Sequence, residues 1–95
     1  MGKLNFPRIS AFTVTTTAQQ LLRVNKDRKA VLIYNNGLVT VELLDSSKAP
    51  YGQGIPIHAG KEHSITSFNC QGAYWIICET GTVDVRVEET LQNGS

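Results

Sequence analysis

Two histidines, His58 and His63, carry the most obvious chemical potential, because His-x4-His can bring two imidazoles to one metal ion. The turn between them decides the matter. A three-residue loop, Gly60-Lys61-Glu62, pairs Ile57 with Ile65 and sends the imidazoles to opposite sheet faces. A four-residue loop would face them together but would pair Ile57 with Ser64. Structural zinc takes four ligands, and only Glu62 stands near as a third. No metal site is expected. The serines lie in Asp45-Ser46-Ser47-Lys48 or in strand-like runs, with no Gly-x-Ser-x-Gly elbow. Cys70 falls in a turn, and Cys78 in an apolar strand reads as a small core residue. Glu42, Glu79 and Glu88 read as outward strand residues. Gly52-x-Gly54 precedes Ile-Pro-Ile, whereas a phosphate-binding fingerprint needs a helix there. No catalytic residue and no cofactor is expected, and the chain reads as non-enzymatic.

Binding chemistry is sparse too. Arg23, Lys26, Arg28 and Lys29 form a basic cluster diluted by Asp27. With Tyr34, Tyr51 and Tyr74 they could describe a single-strand-binding barrel. A net charge of +1 over the 95 residues argues against a nucleic-acid partner, which selects a strongly basic domain. Tyr51, Tyr74 and Trp75 could stack on a sugar, but Tyr74 and Trp75 alternate to opposite faces and cannot share a platform. A carbohydrate-binding β-sandwich module is the alternative from a different class. No apolar run nears the ~20 residues of a membrane helix, so no membrane partner is expected. The N-terminus lacks the apolar run of a signal peptide. Two cysteines are too few for a disulfide framework and suit a reducing compartment.

The elements that position these groups are strands. Apolar and polar residues alternate with period two through most of residues 12–88, and turn formers recur every 8–12 residues or so. Residues 1–10, with Pro7, read as an extended arm, and 90–95 as a polar, disordered tail. Ninety-five residues make one domain. The expected fold is all-β, a single antiparallel β-sandwich or jelly-roll-like domain of about seven or eight strands.

Two segments read as β-hairpins, Ala30–Leu43 turning at Asn36-Gly37 and Ala73–Glu88 turning at Thr80-Gly81. A two-residue turn pairs Tyr34 with Val39, Leu32 with Val41, Cys78 with Val83 and Ile76 with Val85. Those eight residues are the expected core. The opposite faces then carry Val31, Ile33, Trp75 and Ile77, with Trp75 across from Arg86 in a cation–π pair. Such surplus apolar surface on a small domain has two explanations. Either another segment of the chain covers it, the N-terminal arm with Phe6 and Ile9 being the candidate, or it is a protein interface. Val31, Ile33, Trp75, Ile77 and Arg86 are therefore the candidate interface residues.

An ordered set of motifs spans roughly residues 14–88. Gln20-Leu21-Leu22 leads into Asn25-x-x-Arg28-x-x-Val31-x-Ile33-x-Asn35-x-Gly37-x-x-x-Val41. Gly54-x-x-Ile57-x-x-Gly60 and Gly81-Thr-Val-Asp-Val-Arg-Val-Glu88 follow. The set resembles small all-β virion proteins of tailed bacteriophages, including head decoration, or cement, proteins. The resemblance implies a non-catalytic protein that binds the major capsid protein or another virion protein and reinforces the shell. It implies a homo-oligomer and a place in the virion, assembled in the host cytoplasm. Related small β-domains serve at head–tail junctions, in fibres and at baseplates.

Overall fold

The chain doubles back on itself at its middle and then rolls up. The computed structural model describes residues 4–92. Its strands are β1 (Asn5–Val14), β2 (Gln19–Leu22), β3 (Arg28–Asn35), β4 (Val41–Leu44), β5 (Ile55–Ile57), β6 (Glu62–Ile65), β7 (Tyr74–Cys78) and β8 (Val83–Gln92), with a 3-10 turn at Phe68–Gln71. β1 pairs with β8, β2 with β7, β3 with β6 and β4 with β5, all antiparallel, like one long hairpin whose tip is the 45–54 loop. Rolling that hairpin adds β8–β3 and β7–β4 pairs. The result is two facing four-stranded sheets, β1-β8-β3-β6 and β2-β7-β4-β5. This is the jelly-roll wiring of an antiparallel β-sandwich.

That wiring overturns both hairpins. β3 and β4 lie in different sheets, as do β7 and β8, so each short connection crosses the sandwich. The 36–40 crossing is braced by Asn35, whose side chain is fully buried. Its amide donates to the Val39 and Ile57 carbonyls at 2.8 Å each, and its carbonyl accepts from the Gly37 amide at 2.9 Å. Gly37 does not adopt a positive φ, unlike Gly81 at +64°. It is needed because a Cβ there would sit 2.6 Å from Val83 Cγ1.

The core faces follow from the true pairings. Ile33 lies opposite Val87, so Val31 and Ile33 point inward at 2% and 0% exposure. Leu32 and Tyr34, expected in the core, are half-buried on the outer face. β3 is turned over relative to the hairpin register because its partners are β8 and β6, not β4. Val41, Ile76, Cys78, Val83 and Val85 do lie in the core, and Val39 and Tyr74 pack against it.

Both ends also differ from expectation. Residues 5–10 are not an arm but the first half of β1, hydrogen-bonded along β8 from Asn5–Gln92 to Val14–Val83. Residues 90–92 belong to β8. The remainder of the expected arm and tail, 1–3 and 93–95, lies outside the described residues. Pro7 is tolerated in β1 because it is an edge strand.

Candidate functional site

β1 and β2 are the edge strands on the same side of the sandwich, and they differ in length. β1 runs ten residues and β2 only four, with a bulge between Gln20 and Leu22. The inward side chains of β1 around Arg8 and Ser10 therefore lack a facing strand. A cleft of about 580 Å³ opens there, walled by Phe12 of β1 and by Leu22 and Val24, with Arg8, Arg28 and Glu89 among its lining residues.

Glu89 faces inward because it continues the alternation Val83, Val85, Val87, and it is buried at 4% exposure. Two guanidiniums hold its carboxylate. Arg28, itself 2% exposed, donates from Nε to Oε2 at 2.8 Å. Arg8, opposite Glu89 in the register, donates from Nε to Oε1 and from Nη2 to Oε2, each at 3.2 Å. Burial acts to raise the Glu89 carboxyl pKa, but the hydrogen bonds from Arg8 and Arg28 outweigh it and hold the group below the usual carboxylate range. Arg28 spends its other donors on the carbonyls of Cys70 (2.8 Å), Gly72 (3.2 Å) and Arg23 (2.8 Å). The Cys70 thiol in turn donates to the Arg28 carbonyl at 3.2 Å. Cys70 is thus a buried structural group rather than an incidental turn residue.

The sequence-predicted interface residues are not brought together. Val31 and Ile33 lie between the sheets and offer no surface to a partner. Trp75 pairs with Gln20 and Leu44 in one sheet, and Arg86 with Ala11 and Tyr34 in the other. The two point outward from opposite faces of the sandwich, so there is no cation–π pair. Arg86 instead binds Asp84, Nη2 to Oδ2 at 2.9 Å. Hydrogen bonds from Arg86 and Asn36 lower the Asp84 pKa. Ile77 is buried, because the 45–54 loop lies over this face. Glu42 Oε1 accepts from the Gly52 and Gly54 amides at 2.6 and 3.1 Å, and Tyr51 Oη reaches Glu79 Oε2 at 3.5 Å. Ile77 lies opposite Glu42 and two residues before Glu79, between both anchor points. The chain does cover part of its own surplus, as one of the two explanations required, but with this loop in place of the N-terminal arm.

The histidines separate as well. β5 and β6 belong to different sheets, so Ile57 and Ile65 do not pair. His58 Nδ1 lies 3.1 Å from Thr40 Oγ1, while His63 lines a second cleft of about 330 Å³ between β5 and β6. Among the described residues no three His, Cys, Asp or Glu side chains gather as a metal site. Burial pushes the Cys78 thiol pKa up, which keeps it protonated and inert. Within the basic cluster Arg28 is buried and ion-paired, while Arg23, Lys26 and Lys29 remain exposed. No helix among the described residues is long and apolar enough to cross a membrane.

The sequence signals neither Arg8 nor Glu89 directly, and it places Arg28 in a basic cluster rather than in a buried ion pair. The available signal was a Glu at an inward position of Val-x-Val-x-Val-x-Glu-x-Leu, which asks for a buried cation. No protein-family model matches the chain, and no curated protein matches it in sequence.

Proposed function

We propose that this protein is a non-catalytic structural component of a tailed-phage virion, a head decoration protein that binds the major capsid protein and reinforces the shell. The observation that carries the reading is the first half of β1. Phe6 and, at 72%, Ile9 are exposed there on opposite faces of the strand, with exposed Leu4 just ahead of it, and β1 is locked to β8 along its whole length. Apolar side chains on both faces of a rigid edge strand let a docking partner grip the edge with little loss of conformational entropy. Jelly rolls occur among viral capsid proteins, and also among lectins and cupins, so the wiring supports the reading by analogy alone. Many copies around a shell would give avidity without a strong single contact, which suits a small homo-oligomeric binder.

The test is co-sedimentation of the purified protein with phage shells, beside the Phe6→Ser/Ile9→Ser variant. Both side chains are exposed, so the variant keeps its fold. The expected result is saturable binding by the native protein and at least ~10-fold weaker binding by the variant, about 1.4 kcal/mol. No binding to shells refutes the head-decoration reading, and binding to tail, fibre or baseplate fractions would move the protein to that location. Monomeric binding to a glycan array without shell binding would replace the reading with the carbohydrate module.

A further inference from the structure

The Arg8–Glu89–Arg28 cluster is short of one negative charge. Two guanidiniums meet a single carboxylate at the floor of the β1–β2 cleft. Arg28 commits four of its five N–H donors, to Glu89 and three backbone carbonyls, and is buried. Arg8 is not. Its Nε–Nη2 side is engaged by Glu89, while its Nη1 makes no hydrogen bond to another described residue. A guanidinium has two such forked sides, each able to hold a carboxylate with two parallel hydrogen bonds. The Arg8 side chain is 54% exposed, so its second fork opens to solvent at the cleft.

The walls add apolar and backbone recognition. Phe12 and Val24 offer partly exposed apolar surface, and Arg23 adds a further cation beside them. The cleft runs between two strand edges, β1 and β2, that pair with nothing on their outer sides among the described residues. Alternate residues of an edge strand leave both backbone polar groups free to pair with an added strand. Pro7 removes one donor from β1, so an added strand fits better beside residues 8–12.

We propose that this cleft binds an extended acidic peptide segment of a partner protein. A carboxylate of the segment takes the free fork of Arg8, and an apolar side chain near it packs on Phe12 and Val24. This rests on the reading that the protein attaches to another protein, and it names the kind of segment the partner offers. A free phosphate could use Arg8 but not the apolar wall or the strand edge.

A capped hexapeptide of sequence glutamate-threonine-valine-threonine-glutamate-threonine, whose carboxylates and valine share one strand face, is the probe, and its counterpart with lysine for glutamate the control. Titration of the isotope-labelled full chain, followed by amide shifts, should show saturable changes at residues 8–12 and 22–24. Arg8→Gln should weaken binding about 10-fold, the loss of one charge-assisted pair. Ser10→Glu places a carboxylate on the same face of β1, two residues from Arg8, and should abolish binding by occupying its fork. Both positions are at least partly exposed, and Arg28 still holds Glu89, so both variants should fold. Equal binding of the lysine peptide, shifts confined to the β5–β6 cleft, inorganic phosphate matching the peptide, or no binding at millimolar peptide would each overturn the proposal. Shell co-sedimentation separates the two readings. Peptide binding without shell binding defeats only the decoration reading. Shell binding that survives Ser10→Glu, together with no peptide binding, defeats only the cleft.

Discussion

Replacing Glu89 by Gln removes one charge and leaves nearly the same volume. In the native protein Arg28 is 2% exposed and its one charged partner is Glu89, 2.8 Å away. The variant leaves that guanidinium buried and facing only carbonyl dipoles. Breaking a buried pair from one side costs about 3–5 kcal/mol. The carbonyls of Arg23, Cys70 and Gly72 still receive its other donors, so the low end applies. For a domain of this size 3 kcal/mol lowers Tm by about 12–24 °C. Urea unfolding at pH 7, with thermal melts beside it, measures the loss. The pH dependence is a second check. The folded pKa of Glu89 is depressed, so its contribution is fully present above the unfolded carboxyl value and is lost as pH falls through the folded value. The gap between native and variant should stay constant from about pH 5.5 to 8 and close below about pH 4. Replacing Arg28 with Met and Glu89 with Leu together should cost less than either change alone. A loss under about 1 kcal/mol for Glu89→Gln at pH 7, or a gap that widens in acid, would refute a buried pair and put both groups in solvent.

Three further outcomes follow from the wiring. Ile33→Ala should lose about 2–5 kcal/mol and Leu32→Ala under about 1 kcal/mol in denaturant unfolding, and the reverse order would restore the hairpin register. Gly37→Ala should lose about 1–3 kcal/mol through the clash with Val83, and no loss would show that the 36–40 crossing relaxes freely. Glu42→Ala releases the amides of Gly52 and Gly54, so trypsin should cut after Lys48 at least ~10-fold faster, while an unchanged rate would mean that other contacts hold the loop.

Alternation alone determined a good deal of this protein. Period two gave an all-β chain, the approximate places of the strands, and the inward sets Val83-Val85 on β8 and Ile76-Cys78 on β7, because a strand presents alternate side chains to one face whatever its neighbours are. It also marked the two-sided apolar character of β7, where Ile77 on the outer face lies beneath the 45–54 loop. Pairing was decided elsewhere. A short turn with Gly reads as a hairpin, yet the same few residues can carry the chain across a sandwich, and only the rest of the fold selects between them. That choice turned β3 over, placed Val31 and Ile33 in the core, and separated Trp75 from Arg86. The Arg8–Glu89–Arg28 cluster depends on the same choice. Its members are 61 and 81 residues apart in the chain, and they meet only because closing the roll sets β8 between β1 and β3.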